Sequence, residues 1–252
     1  MEWRDEGIIL GGRRHGETSV ILEVMTQAHG RHFGLVRGGR SRRMQPLIQP
    51  GNRVDLVWRA RIDEHLGTYQ LDPIEHHAAR LMASAVAIHG LQMVAGHLRL
   101  LPERDAHPGL YETLGIIINH LEDANAAAQL LSRFEVLLLD ELGFGLDLTR
   151  CAATGATQEL VYVSPKTGRA VSRQAGEPWA DKMLALPRFM RTGVGMKPEP
   201  DELLAGFAVT GHFFERHVWG PRGQETPPAR AAFLQLLERA ARAGKTEGRG
   251  LQ

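Results

Sequence analysis

Between Arg31 and Arg61 the chain carries Arg31, Arg37, Arg40, Arg42, Arg43, Arg53, Arg59 and Arg61 against a single acid, Asp55. A guanidinium is a planar fork of donors that grips a phosphate with two parallel hydrogen bonds. Eight of them in one stretch point to a polyanion, and the sugar–phosphate backbone of a nucleic acid fits best. Arg37, Arg40, Arg42 and Arg43 lie within Val36-Arg37-Gly38-Gly39-Arg40-Ser41-Arg42-Arg43, whose glycines permit close backbone approach and free amides. Each neutralised phosphate releases counterions, giving affinity without sequence preference. Arg37, Arg40, Arg42 and Arg43 therefore lead the candidate set, followed by Arg31, Arg53, Arg59 and Arg61. The compensating acids fall elsewhere in the sequence, at Glu2, Asp5 and Glu6 and then at Asp63, Glu64, Asp72 and Glu75.

Catalytic chemistry has little to build on. There is no phosphate-binding Gly-x-x-x-x-Gly-Lys-Ser/Thr stretch, and Gly7-Ile8-Ile9-Leu10-Gly11-Gly12 lacks dinucleotide-binding spacing and sits inside a strand pattern. No His-Glu-x-x-His occurs, and His212 and His217 would lie roughly 140° apart around a helix. The single cysteine, Cys151, excludes an internal disulfide and any all-cysteine metal site. Nothing in the sequence places a base beside it, so it reads as a small buried thiol. Carboxylate clusters are missing near the basic stretch, which argues against a metal-dependent nuclease or hydrolase. The chain is not expected to be an enzyme, and neither a cofactor nor a metal is called for.

The elements that must position these arginines follow from length and period. At 252 residues the chain has room for two domains, and 43% hydrophobic against 23% charged residues supports a buried core. The net charge is only +1, but 26 arginines stand against four lysines. A GC-rich genome yields the same bias, so position decides more than composition. The most apolar stretch, Leu81 to Leu98, is broken by Ser84, His89, Gln92 and His97 and cannot span a membrane, and the acidic amino terminus is no secretory signal. A cytoplasmic location is expected, nucleoid-associated if the polyanion is DNA.

Residues 1 to about 75 read as five short strands: Ile8–Leu10, Thr18–Met25, Arg31–Arg37, Arg53–Arg61 and Leu66–Leu71. Five strands punctuated by glycine in so short a stretch suit a small closed barrel. In the fourth, Val54, Leu56, Trp58 and Ala60 alternate with Arg53, Asp55, Val57, Arg59 and Arg61, giving one buried and one basic face. Trp58, Phe33 and Tyr69 offer stacking faces, though the parity of Trp58 assigns it to the core. In the third strand Arg31 and Arg37 share parity with Phe33 and Leu35, a conflict that a bulge at Gly34 would resolve. After Pro73 the period becomes helical. Apolar stripes run over Ala78 to Leu101, Leu110 to Leu121, and Leu130 to Leu142 (closed by Gly143). Others run from Pro200 through Phe214 and from Pro227 to Gly244, with a frayed tail from Lys245 to Gln252. Residues 151 to 175 interrupt the helices with a predicted hairpin, Val161–Val163 and Arg169–Ser172.

Three stretches together resemble the RecO family of bacterial recombination mediators. The first is Gly7-Ile8-Ile9-Leu10 with His15-Gly16-Glu17-Thr18-Ser19-Val20-Ile21-Leu22. The second is His29-Gly30-Arg31 leading into Leu35-Val36-Arg37-Gly38-Gly39-Arg40-Ser41 and Leu47-Ile48-Gln49-Pro50. The third is Phe134-Glu135-Val136-Leu137-Leu138-Leu139 with Leu142-Gly143-Phe144 and Leu148 running to Cys151. Order and spacing agree over roughly residues 5 to 175.

The resemblance implies an α+β protein: an amino-terminal OB-fold barrel over residues 1–76 and a helical domain over 77–149 and 177–244. Residues 150–176 would be a small zinc-finger-like insertion. It implies binding of single- and double-stranded DNA, annealing of complementary strands, and partnership with RecR and the carboxy-terminal tail of single-strand-binding protein. RecA would be served indirectly, through its loading onto coated strands. The insertion departs from the family pattern. Where related chains carry two Cys-x-x-Cys pairs, this one has Cys151 and Thr154, then positions near Ser172 and Ala175, too few ligands for zinc. A metal-free hairpin packed through Leu160, Tyr162 and Val171 is expected. Arg99, Arg104 and Arg133 are candidates to rim a pocket for the acidic tail, each otherwise a solvated helix-face charge. An RNA-binding OB protein of RNA metabolism is the alternative function.

Overall fold

A computed structural model of the chain describes residues 1–191 and 197–249, with side chains as far as Arg242. The chain forms two compact units that meet in sequence between Glu122 and Asp123.

The first unit opens with five strands, β1 (Glu2–His15), β2 (Ser19–Thr26), β3 (Gly30–Val36), β4 (Arg53–Arg59) and β5 (Thr68–Glu75). They form a ring in the order β1-β2-β3-β5-β4, closed by β1 pairing with β4. β1 is far longer than the three residues expected because it serves two partners. Its first half pairs with β4, and its second half follows β2 past a bulge between Ile9 and Gly11. β3 meets β5 through one parallel pairing, Leu35 with Thr68. The core is filled by alternate residues, Val20, Leu22 and Val24 from β2 and Val54, Leu56 and Trp58 from β4. Leu47 and Ile48, from the long β3–β4 connection, join them.

Gly34 is not at a bulge: β3 runs in unbroken register with β2, Leu22 opposite Gly34. Its glycine is required because a Cβ there would lie 2.5 Å from the Tyr69 ring. Arg31 faces outward, yet it is buried, because the segment after α2 (Ala85–Leu98) lies over this part of the ring. The helical period from Ala78 is broken at Ala83-Ser84 into α1 (Ala78–Met82) and α2, Ser84 capping the latter by accepting from the Ala87 amide. α3 spans Pro108–His120. Because α1 to α3 belong to the same unit as the ring, the change of period near residue 76 marks a change of element type within that unit.

The second unit holds α4 (Ala124–Glu141), α5 (Arg173–Gly176), α6 (Pro200–Phe214) and α7 (Pro228–Arg249). Asp123 caps α4 through two backbone amides, and Gly143, at φ 85°, ends it. The expected hairpin is present as β6 (Leu160–Val163) and β7 (Ala170–Ser172), with Leu160 and Val171 buried and Tyr162 half-buried. A third strand, β8 (Leu184–Ala185), adds to the β6 edge. α7 runs through Gly244 to Arg249, so the expected stop and frayed tail do not occur there; residues 250–252 lie outside the described residues. Phe134, Phe189, Phe207, Phe213, Phe214, Trp219 and Phe233 fill this core. Within it Glu135 of α4, fully buried, accepts from Arg230 of α7 at 2.7 and 3.2 Å and from the Thr210 hydroxyl. Arg230 is therefore a core residue of this unit.

Candidate nucleic-acid interface

The ring sorts the eight arginines by their partners. Arg31 is buried, donating to Glu23 at 3.1 Å and to the Leu101 carbonyl at 3.2 Å. Glu23 also accepts from Arg99, at 2.6 Å from Nη2. A strand cannot reach Arg31, so it leaves the candidate set. Arg53 donates to Glu6 at 2.5 Å and lies 3.7 Å from Glu75. Arg59 holds Glu2 through Nε at 2.8 Å and Nη2 at 3.0 Å. These bonds draw the Glu2 carboxyl below its usual range, with Arg59 as the dominant cause.

Acids that are remote in sequence are thus neighbours in the sheet. The β1–β4 register sets Glu2 opposite Arg59 and Glu6 opposite Asp55, and brings Arg4 to the Asp55 carboxylate. The basic stretch is not segregated along β4, which carries a lattice of cross-strand pairs.

The loop leaving β3 differs. Arg37, Arg40, Arg42 and Arg43 are exposed, and among the described residues none of them has a carboxylate partner, nor does exposed Arg61. The loop is tethered by backbone and side-chain bonds to carbonyl groups. The Arg40 amide donates to the Thr18 carbonyl at 2.9 Å and its guanidinium to the Glu17 carbonyl at 2.5 Å. Gln45 closes the turn onto the Gly39 carbonyl at 2.9 Å. Gly38, at φ 64°, adopts the left-handed turn that a glycine takes without cost. Asn52, fully buried, fixes the loop's far end: its amide donates to the Pro46 and Leu47 carbonyls, and its oxygen accepts from the His77 and Ala78 amides.

Recesses border this loop. Arg14 and Arg40 line one with Gly12, Gln45, Ile48 and Gln49. Arg37, Arg59 and Arg61 line a second with His65 and Thr68, and Arg37 and Arg59 also line a third with Met44 and Val57. Arg13 and Arg14, exposed near the β1–β2 turn, escape a reading of the sequence because they precede the basic stretch; the Arg40–Glu17 contact is what ties their turn to it. Six of the eight arginines, together with Arg14, thus border the same loop or its recesses, whereas Arg31 and Arg53 are committed elsewhere.

The stacking faces are mostly covered. Trp58 and Tyr69 are buried, Trp58 donating to the Leu66 carbonyl at 3.0 Å, and half-buried Phe33 lies under Arg31. Arg99, Arg104 and Arg133 each already hold a partner within the protein. Arg99 is on Glu23, Arg104 holds the His65 carbonyl at 3.0 Å above the Trp58 ring, and Arg133 donates to the Phe189 carbonyl.

The insertion does not suit zinc. Cys151 is buried, its sulfur accepts from the Ser172 amide at 3.3 Å, and among the described residues no three His, Cys, Asp or Glu side chains converge. Burial pushes the thiol up, but hydrogen bonds from Ser172 and Thr154 outweigh it and bring it to about 6. Hydrogen bonds at Cys151 hold the turn that a metal would otherwise hold. No helix among the described residues is long and apolar enough to cross a membrane.

Residues 1–76 match the family profile described as Recombination protein O N terminal, and residues 86–225 that of Recombination protein O C terminal. The chain is 68% identical to the "DNA repair protein RecO" of Mesorhizobium japonicum, over 95% of this chain and 94% of that one. It is 63% identical to that of a Chelativorans species (95% and 96% covered) and 60% identical to that of Brucella abortus (95% and 97% covered).

Proposed function

The chain belongs to the RecO family, and on that premise we propose that it is a non-enzymatic recombination mediator of DNA repair whose β3–β4 loop grips DNA phosphates. The observation that carries this is the contrast among the arginines: those on the loop are exposed and carboxylate-free, while Arg31 and Arg53 on the strands are paired. The ring order β1-β2-β3-β5-β4 supports reading the front module as an OB-type barrel. The Cys151 hairpin supports reading the insertion as a finger that has lost its metal.

Arg37, Arg40, Arg42, Arg43 and Arg61 hold the strand, with Arg13, Arg14 and Arg59 at its edges. Contacts of this kind recognise the backbone of single- and double-stranded DNA alike and leave the bases free to pair, as annealing requires. RecR, the acidic tail of single-strand-binding protein and, through them, RecA are the partners this reading implies.

The test is binding and annealing together. Labelled single strands of DNA and RNA are titrated at several salt concentrations, and complementary DNA strands are annealed with and without single-strand-binding protein and RecR. DNA binding that falls with salt, and annealing of coated strands, are expected. A clear preference for RNA would instead favour a role in RNA metabolism.

A further inference from the structure

Just after the insertion the chain carries an exposed aromatic that the loop arginines leave unexplained. Of the four tryptophans, Trp58 and Trp219 are buried and Trp3 stacks on His29, whereas Trp179 is 55% exposed. It sits on a 3-10 turn, Glu177–Lys182, where residues three apart share a face. Lys182 accordingly stands beside it, its ammonium 5.6 Å from the indole centroid. Glu177 and Asp181 fall on the other faces of the turn.

Across from Trp179 is the β6–β7 turn. Ser164, Pro165 and Lys166 complete with Trp179, Lys182 and Met183 a recess of about 420 Å³ that no acid lines. The turn is held from behind: the Pro165 carbonyl accepts from His212 at 3.0 Å and from Arg216 at 2.5 Å. The chain has only four lysines, and two of them line this recess.

We propose that Trp179, Lys166 and Lys182 form a second nucleic-acid contact that takes one unpaired nucleotide, its base stacked on the indole and its phosphates at the two ammoniums. The assignment rests on the DNA-binding reading above and deepens it. A base offers a flat π-face to the indole, and the strand supplies an anion on either side of it. A duplex, whose bases are already stacked on each other, cannot use the platform. The site therefore separates single strands from double strands, which the loop arginines do not do.

The test is intrinsic fluorescence of the full chain with oligo(dT) and with a duplex of equal length. The difference in emission between the wild type and Trp179→Phe isolates this residue. Oligo(dT) should quench the Trp179 component and the duplex should not. Trp179→Ala should weaken oligo(dT) binding about 5- to 20-fold, with duplex affinity and thermal melting unchanged. Lys166→Glu with Lys182→Glu should weaken single-strand binding as well. If Trp179→Ala binds oligo(dT) as the wild type does, this site is wrong while the loop arginines stand. If the wild type binds no nucleic acid at all, the underlying reading fails too. Quenching by an acidic peptide but not by oligo(dT) would overturn the proposal in favour of a protein partner.

Discussion

Glu2 and Arg59 face each other directly across the β1–β4 ladder, 57 residues apart in sequence and joined by two hydrogen bonds, at 2.8 and 3.0 Å. Both groups are half-exposed, so the pair adds little to stability. It restrains a guanidinium at the edge of a basic recess, and on the proposed function that restraint acts on binding. Glu2→Gln should release Arg59 to a phosphate and steepen the salt dependence of single-strand binding by about 0.7 in log–log slope. An unchanged slope would show that Arg59 lies off the strand's path.

Replacing Arg37, Arg40, Arg42 and Arg43 together by alanine should flatten that slope by about 0.7 for each phosphate no longer neutralised. The melting temperature should change little, since none of the four meets a carboxylate among the described residues and the Arg40 bond to the Glu17 carbonyl is solvent-exposed. Normal binding by the quadruple variant would remove the loop from the interface.

Arg31 and Arg230 should behave in the opposite way. Each is buried against a buried glutamate, Glu23 and Glu135 respectively. Arg230→Ala leaves Glu135 as an uncompensated charge in the core and should cost about 3–5 kcal/mol of its unit's stability, whereas Arg31→Ala, after which Glu23 keeps Arg99, should cost less. Urea titration measures this, and the salt slope of whatever protein remains folded should match the wild type.

His32 sets an acid limit on the ring. Its imidazole is buried beside Tyr69, 3.0 Å from the hydroxyl, and burial, aided by the nearby Arg104 charge, lowers it to about 4. Unfolded, it titrates near the ordinary value of about 6.5. Between those values the unfolded chain binds a proton that the folded chain refuses. The His32 contribution is therefore full above about pH 6.5 and is lost as the pH falls toward 4. The urea midpoint should decline across that window, and His32→Gln should decline less steeply. Parallel curves would place the acid sensitivity in another group.

Protein purified and washed with chelator should hold far less than one zinc per chain and keep its melting temperature, because Cys151 is surrounded by hydroxyl and amide partners in place of thiolates. Near-stoichiometric zinc surviving the wash would contradict this.

Much of the architecture is local and so is written in local pattern. The alternation of Val54, Leu56 and Trp58 fixes the inner face of β4, and Pro200, Pro228 and Gly143 mark helix ends. The pairing of charges is not local. That Arg53 meets Glu6 and Arg59 meets Glu2 depends on the β1–β4 register, and that Arg31 is covered depends on the chain beyond α2. Charge counted along the sequence therefore overstates the basic surface at Arg31, Arg53 and Arg59, and misses Arg13 and Arg14. The break at Ser84 and the two-residue strand β8 escape it because an apolar stripe continues through the first and no periodicity marks the second. Asn52 carries no signal at all in a single sequence, since its four hydrogen bonds go to backbone groups from two separate segments.

At Gly30, where φ is 63°, an added Cβ would lie 1.8 Å from the Asp105 carbonyl oxygen, and the Arg104 amide donates to the Arg31 carbonyl at 2.9 Å. The stretch after α2 is thus fastened to the rim of the ring like a buckle. Severing the polypeptide after residue 76 would undo that fastening and strip the cover from Arg31, so a free-standing front piece has to extend to about Glu122 to remain whole.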